Sequence, residues 1–177
     1  MLLITALGTS PYTPTVYQPA GGEPIATAFV QVASAITSGA TEAIVLVTKA
    51  ARERNWDALA SELASNGVTA RPCDIPDGRS ESDLWQILAV LEDAVPAHAE
   101  VVLDVTHAMR HLPFVLHTAL SYLVAARDVS IARITYGAWN SEQTDLTPLV
   151  DLTALLRLSE GAYAIRQFRE SGEARPV

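Results

Sequence analysis

The string VVLDVTHAMRHLP, residues 101–113, ends an apolar run in Asp104, Thr106, His107 and Arg110 and then meets Pro113. A hydroxyl, an imidazole and a guanidinium are side chains that grip an anion, and the carboxylate beside them can orient or pair them. Pro113 has no N–H and its ring clashes with a preceding helical turn, so it fits only the first turn of a helix. The spacing predicts a helix from about Leu112, with residues 106–111 as the loop leading into it. Free amides at that helix start, with Arg110 close by, would hold a phosphate, and His107 and Arg110 would reach phosphate or base. The plainer alternative is that Thr106 caps local backbone while Arg110 pairs with Asp104 or a surface carboxylate.

Two further apolar runs end in residues of the same kind. Leu2 to Leu7 stops at Gly8-Thr9-Ser10, where Gly8 allows close backbone approach or a positive φ and the next two residues offer hydroxyls and amides to a phosphate. An ordinary strand-ending turn is the alternative. Ala43 to Val47 stops at Thr48-Lys49, and Lys49 should project from the same edge unless it is simply a solvated lysine. Trp139, just past Tyr136-Gly137-Ala138, is a candidate for base stacking or for covering a sheet edge, whereas Asn55, Trp56 and Trp85 sit at helical positions that favour core packing. His98, His111 and His117 show no zinc-ligand spacing. There is no G-x-G-x-x-G, which argues against a dinucleotide-dependent enzyme on this fold, and there is no P-loop and no G-x-S-x-G elbow.

These strand ends share an edge only if the strands run parallel. Leu2–Leu7, Ala43–Val47, 68–73 and 101–105 read as strands, the third weakened by Pro72. Between them, helical spacing predicts helices over Ile25–Ile36, terminated at Gly39, then over 50–65 and 82–95, the last capped by Ser80 to Asp83. A helix over 112–126, strands 130–138 and 147–151 joined by a polar connection as a hairpin, and a helix over 152–170 complete the chain. Residues 11–24, rich in proline and glycine, read as a long connection of the sort that tends to be functional or disordered. Alternating strands and helices predict an α/β fold, a Rossmann-like, mainly parallel sheet with helices on both faces and a C-terminal hairpin and helix. Ligands of such sheets bind outside the carboxyl ends of the strands, where the chain order switches.

The chain has 177 residues, 49% hydrophobic and 18% charged, which fits one globular domain over 1–177 with a full core. No apolar run reaches the roughly 18 residues a membrane span needs, and the N-terminus has no signal-peptide pattern, so a cytoplasmic location is expected. Cys73 is the one cysteine, which leaves no intrachain disulfide and no cysteine metal cluster; it reads as a small buried hydrophobe, or else a reactive thiol. The formal net charge is −8 and Lys49 is the one lysine, so a basic face for coating long nucleic acid is not available. A nucleotide ligand would have to be small and held at a focused site. Only residues 171–177 look like an exit toward something else.

With these residues in place the chain resembles a known family. LLITALGTSPYTPTVY, FVQVAS, IVLVTKAARERNW, GRSESDLWQIL, LDVTHAMRHLPF, ITYGAW and LVDLTALLRLSEGAYAIRQFRESG occur in the order seen in CARF (CRISPR-associated Rossmann fold) sensor domains of type III CRISPR ancillary effectors. The D-x-T-H-x-x-R-x-x-P string is the most specific of them, and the likeness covers nearly the whole chain. The resemblance implies a homodimer whose paired strand edges bind a cyclic oligoadenylate, cyclic tetra-adenylate first and cyclic hexa-adenylate second, and thereby switch an effector domain in cis. A two-fold ring polyanion suits an isologous dimer with duplicated anion sites.

Carried onto this chain, the resemblance assigns Gly8, Thr9, Ser10 and Tyr12 of the first loop and Thr106, His107 and Arg110 of the later one to the ligand. Thr48, Lys49 and Trp139 follow with less family support. No cofactor and no metal are expected, and the charge and hydropathy above leave no long nucleic acid and no membrane segment as expectations for this chain. The effector domain expected after the last helix is not in the sequence, so either these residues are the sensor part of a longer protein, whose effector activity would lie outside them, or they are a stand-alone form. Some sensors of the family also cleave their ligand. A ring nuclease would need no metal, and Ser10, Lys49 and His107 would then be the catalytic candidates.

Overall fold

A computed structural model of the chain describes residues 1–107, 109–139 and 146–172. Strand β1 (Leu2–Leu7) is apolar at nearly every position and buried at all of them, so it must be covered on both faces. Its alternate residues divide accordingly. Leu2, Ile4 and Ala6 join Ile44, Leu46, Leu103 and the helices α3 (Glu81–Ala94) and α4 (Leu112–Arg127) in one core layer. Leu3 and Leu7 join Val45, Val47 and the helices α1 (Val30–Ser38) and α2 (Lys49–Ser65) in the other.

The parallel part of the sheet has the order β5 (Thr69–Asp74), β4 (Glu42–Val47), β1, β6 (Glu100–Asp104), β7 (Ser130–Gly137). Leu2 is in register with Glu42 on one side and with Val101 on the other, so the chain order reverses at the crevice between β1 and β6. That is the Rossmann-like arrangement expected. Pro72 is tolerated because β5 is an edge strand, where one side of the ladder needs no donor. β8 (Thr147–Asp151) pairs antiparallel with β7, as the hairpin reading requires. The polar connection between them, residues 140–145, lies outside the described residues, as does the tail 173–177.

Beyond β8 the sheet continues in a way the sequence pattern did not predict. β2 (Thr15–Pro19) lies parallel to β8, and β3 (Ile25–Thr27) pairs antiparallel with β2. The expected long connection therefore contains a strand, and the expected helix over Ile25–Ile36 starts only at Val30. Thr27 explains the late start. Its hydroxyl accepts from the Phe29 amide at 2.9 Å and donates toward Glu62, holding the backbone extended just where the helix would begin. Tyr17 of β2 then packs with Val30, Ala33 and Leu149 in a third small cluster.

α5 (Ala154–Ser171) runs through Gly161 and leaves the body after its first turn. Among its described side chains only Leu156 is buried, while Leu155, Leu158, Tyr163, Ile165 and Phe168 are exposed. Trp85 also corrects an expectation of core packing. It is 64% exposed, because the stripe Leu84, Ile87, Leu88, Leu91 that faces the core leaves position 85 to one side. Cys73 is half-buried rather than fully inside. Among the described residues no helix is long and apolar enough to cross a membrane.

Candidate functional site

At the carboxyl ends of β1, β4, β5 and β6 lies a cleft of about 770 Å³. Gly8, Thr9, Ser10, Tyr12, Thr48, Thr106 and His107 line it together. Lys49, Arg110 and Trp139 do not. Lys49 is exposed as the first residue of α2, Arg110 is exposed in the turn before α4, and Trp139 is 59% exposed two residues past β7.

The first loop is held from behind. Asn55 Nδ2 on α2 donates to the carbonyls of Gly8 at 2.9 Å and Ser10 at 3.1 Å, and Arg54 Nη1 donates to that of Thr9 at 3.1 Å. In a trans peptide the carbonyl of one residue and the amide of the next point in opposite directions. Pinning the Gly8 and Thr9 carbonyls onto α2 therefore turns the Thr9 and Ser10 amides the other way, as an anion cradle requires. Asn55 was expected in the core; it is a strap for the site. The Gly8 amide itself is taken by the Tyr12 hydroxyl at 2.9 Å. Gly8 has no left-handed backbone, and a Cβ there would lie 3.4 Å from that hydroxyl, an ordinary contact, so a positive φ is not what calls for a glycine here.

Tyr12 ties the two loops together. Its ring lies 4.7 Å from Phe29 and 4.8 Å, edge-on, from His107, and its hydroxyl also accepts from the buried Gln31 Nε2 at 3.4 Å. Gln31 anchors to the Ala6 carbonyl at 2.9 Å. Burial pushes the Tyr12 hydroxyl pKa up. Burial also lowers the His107 pKa, against the opposing pull of Asp104, so the imidazole is neutral at neutral pH.

That shift has a consequence for stability. With the folded pKa below the usual 6.5, the unfolded chain takes the proton first, so stability falls as pH drops below about 6.5. His107→Gln should flatten this limb, as followed by urea unfolding between neutral and mildly acid pH. An unchanged slope would place the titrating group elsewhere.

Beneath the second loop, Asp104 is 1% exposed and fully engaged. Oδ2 accepts from Thr5 Oγ1 at 2.7 Å, and Oδ1 accepts from the Thr106 amide at 3.2 Å and the Thr106 hydroxyl at 2.6 Å. Burial raises its pKa against these bonds. The expected alternative of an Asp104–Arg110 pair is not formed. The Gly137 amide donates to Thr106 Oγ1 at 2.7 Å. A Cβ on Gly137 would meet Val30 Cγ2 at 2.8 Å, Tyr17 Cε1 at 3.1 Å and Thr106 Cγ2 at 3.3 Å. Gly137→Ala should therefore cost about 1–3 kcal/mol by overpacking, read from the urea midpoint.

The helix starts divide differently from expectation. At α4 the Leu112 amide goes to the Met109 carbonyl at 2.8 Å, the Phe114 amide goes to the His111 carbonyl at 3.1 Å, and Pro113 has none, so this helix start is not the open anion site predicted. At α2 the first amides satisfied are those of Ala51, on Thr48 Oγ1 at 3.3 Å, and Arg52, on the Thr48 carbonyl at 2.9 Å. Lys49 and Ala50 precede them and have no partner within the helix. No acidic residue lies in that turn.

The opposite wall was missed. Asp77, Gly78 and Arg79, between β5 and α3, line the cleft with Met109 and His111. The signal was available, since β5 is parallel to β4 and its carboxyl end must reach the same edge. His111 Nε2 is buried against Gly78 without a hydrogen-bond partner among the described residues. Arg79 pairs with Asp77 at 3.3 Å at the rim.

No protein-family model matches the chain. A curated relative, the CRISPR-associated protein MJ1674 of Methanocaldococcus jannaschii, is 24% identical over 127 residues, covering 69% of this chain. The chain spans about a fifth of that protein's length, 20%. An α/β sheet with its cleft at the switch point and a distant similarity to a CRISPR-associated protein are thus what this chain presents.

Proposed function

We propose that the chain is a CARF-type sensor domain of a CRISPR defence system that binds a cyclic oligoadenylate as a homodimer and controls an effector domain joined to it. The observation that carries this reading is the strapped 8–10 loop. It turns amides away from α2 beside the open first turn of that helix, in a protein whose net charge of −8 suits no broad nucleic-acid surface. The distant CRISPR-associated relative supports the biological setting. In this reading the loop amides and the α2 start take phosphates, and His107 and Tyr12 border the bases. Lys49 and Arg110, exposed beside the cleft, meet the outer phosphates. Exposed Trp85, Phe114 and Tyr122 on α3 and α4 offer apolar surface for a second copy.

Thermal unfolding with cyclic tetra-adenylate, cyclic hexa-adenylate and linear tetra-adenylate tests this. One of the rings should raise the Tm in a concentration-dependent way and the linear form should not. Equal shifts with ring and linear forms, or none, would oppose it.

A second reading, ring cleavage, is favoured by the neutral His107 in the cleft. An imidazole in that state accepts the proton of a ribose 2′-OH as its oxygen attacks the adjacent phosphorus. The P–O5′ bond then breaks as O5′ takes a proton from solvent, leaving a 2′,3′-cyclic phosphate and a 5′-hydroxyl. Ser10 lies in the cleft to stabilise the phosphorane, and Lys49 would have to reach in from the rim. Mass spectrometry of the ring after hours with excess protein separates a sensor, which returns it intact, from a nuclease.

A further inference from the structure

We propose that Thr106 does not contact the ligand but is the joint that carries occupancy of the cleft to β7 and, through β8, to α5. The inference rests on the ligand assignment above and concerns how that site is read out. A threonine has one amide proton, one hydroxyl proton and two hydroxyl lone pairs. Both protons of Thr106 are spent on Asp104 Oδ1, at 3.2 and 2.6 Å, and its hydroxyl oxygen accepts the Gly137 amide at 2.7 Å. A phosphate needs donors and finds none left here.

The next residue, His107, faces the cleft, so a ligand that displaces His107 pulls on Thr106 through the chain. Asp104 does not yield, being buried and tied to Thr5 on the central strand. The give falls on Gly137, which lies so close that an added Cβ would come within 3.3 Å of the Thr106 methyl. From there the connections are continuous. Ala138 donates to the Pro148 carbonyl at 2.8 Å and Leu152 to that of Ile134 at 2.8 Å, while Ile134 donates to Thr153 Oγ1 at 3.0 Å, at the start of α5. α5 presents Leu155, Leu158, Ile165 and Phe168 to solvent, an apolar face able to register the movement.

The test follows the Gly137 amide by NMR and hydrogen exchange in the whole chain, with and without cyclic tetra-adenylate and cyclic hexa-adenylate, with calorimetry on the same samples. In the wild type, ring binding should shift the Gly137 resonance and speed its exchange about tenfold or more. Thr106→Val should still bind the ring, losing less than about tenfold in affinity, yet show no ligand-dependent change at Gly137; Thr106→Ser should keep both. Ring binding to the wild type with Gly137 undisturbed overturns the proposal. So does a folded Thr106→Val that no longer binds, since Thr106 would then be a contact. If Thr106→Val does not fold, the wild type and Thr106→Ser decide. Absence of binding by either ring to the wild type removes the ligand assignment itself, and the joint with it, and calorimetry reports that separately.

Discussion

Asp104→Ala should lower the unfolding free energy by about 3 kcal/mol or more. The carboxylate receives three donors in a place water does not reach: the Thr5 hydroxyl, the Thr106 hydroxyl and the Thr106 amide. Removing it strands all three, and each unmade buried bond costs about 1–3 kcal/mol, part of which local relaxation recovers. Asp104→Asn should cost far less, because the amide oxygen can still take the Thr106 donors while its NH2 donates to Thr5 Oγ1. Burial already disfavours the charged form, so loss of the charge is not the penalty. Urea unfolding of the two variants side by side checks this. Equal losses would mean that charge, not bond satisfaction, is what the core requires.

The second large effect is on binding. Asn55→Ala should weaken cyclic oligoadenylate binding about thirtyfold for each loop the ring meets, roughly 900-fold for a ring held by two copies, with little loss of fold, since two loop carbonyls lose their donor and each such bond is worth about 1 kcal/mol. Because a ring held by a dimer meets the loop twice, the loss is counted in both copies. Asn55→Asp should be at least as damaging, placing an acceptor where two carbonyl oxygens point. Calorimetry on both variants, with circular dichroism to follow folding, gives the answer. Affinity within about threefold of wild type would show that the loop holds its shape without the strap and that the cradle argument is wrong.

What was legible in the sequence follows from how local each signal is. β1, β4 and β6 announced themselves because strands buried on both faces are apolar along most of their length. Thr106 and His107 were found because strand end, loop and helix start stand together in the chain. The Asn55 strap was invisible because it spans 47 positions to Gly8, and nothing in a helical pattern distinguishes a side chain that meets a loop from one that meets the core. β2 and β3 were hidden by Pro19 at the end of the first and by three-residue brevity in the second. β2 forms against β8, which comes more than a hundred residues later, and β3 forms only against β2. The open helix start proved to be α2 rather than α4, a distinction that rests on where the Leu112 and Phe114 amides turn, and that spacing does not report.

A ring-shaped oligoadenylate shared by two chains is the ligand proposed for this cleft. Calorimetric titration of the purified chain with cyclic tetra-adenylate, and in parallel with cyclic hexa-adenylate, tests it most directly. Saturable binding of one ring at micromolar affinity or tighter is expected, with a stoichiometry of one ring to two chains. No heat from either ring, or a ratio of one ring to each chain, would contradict it.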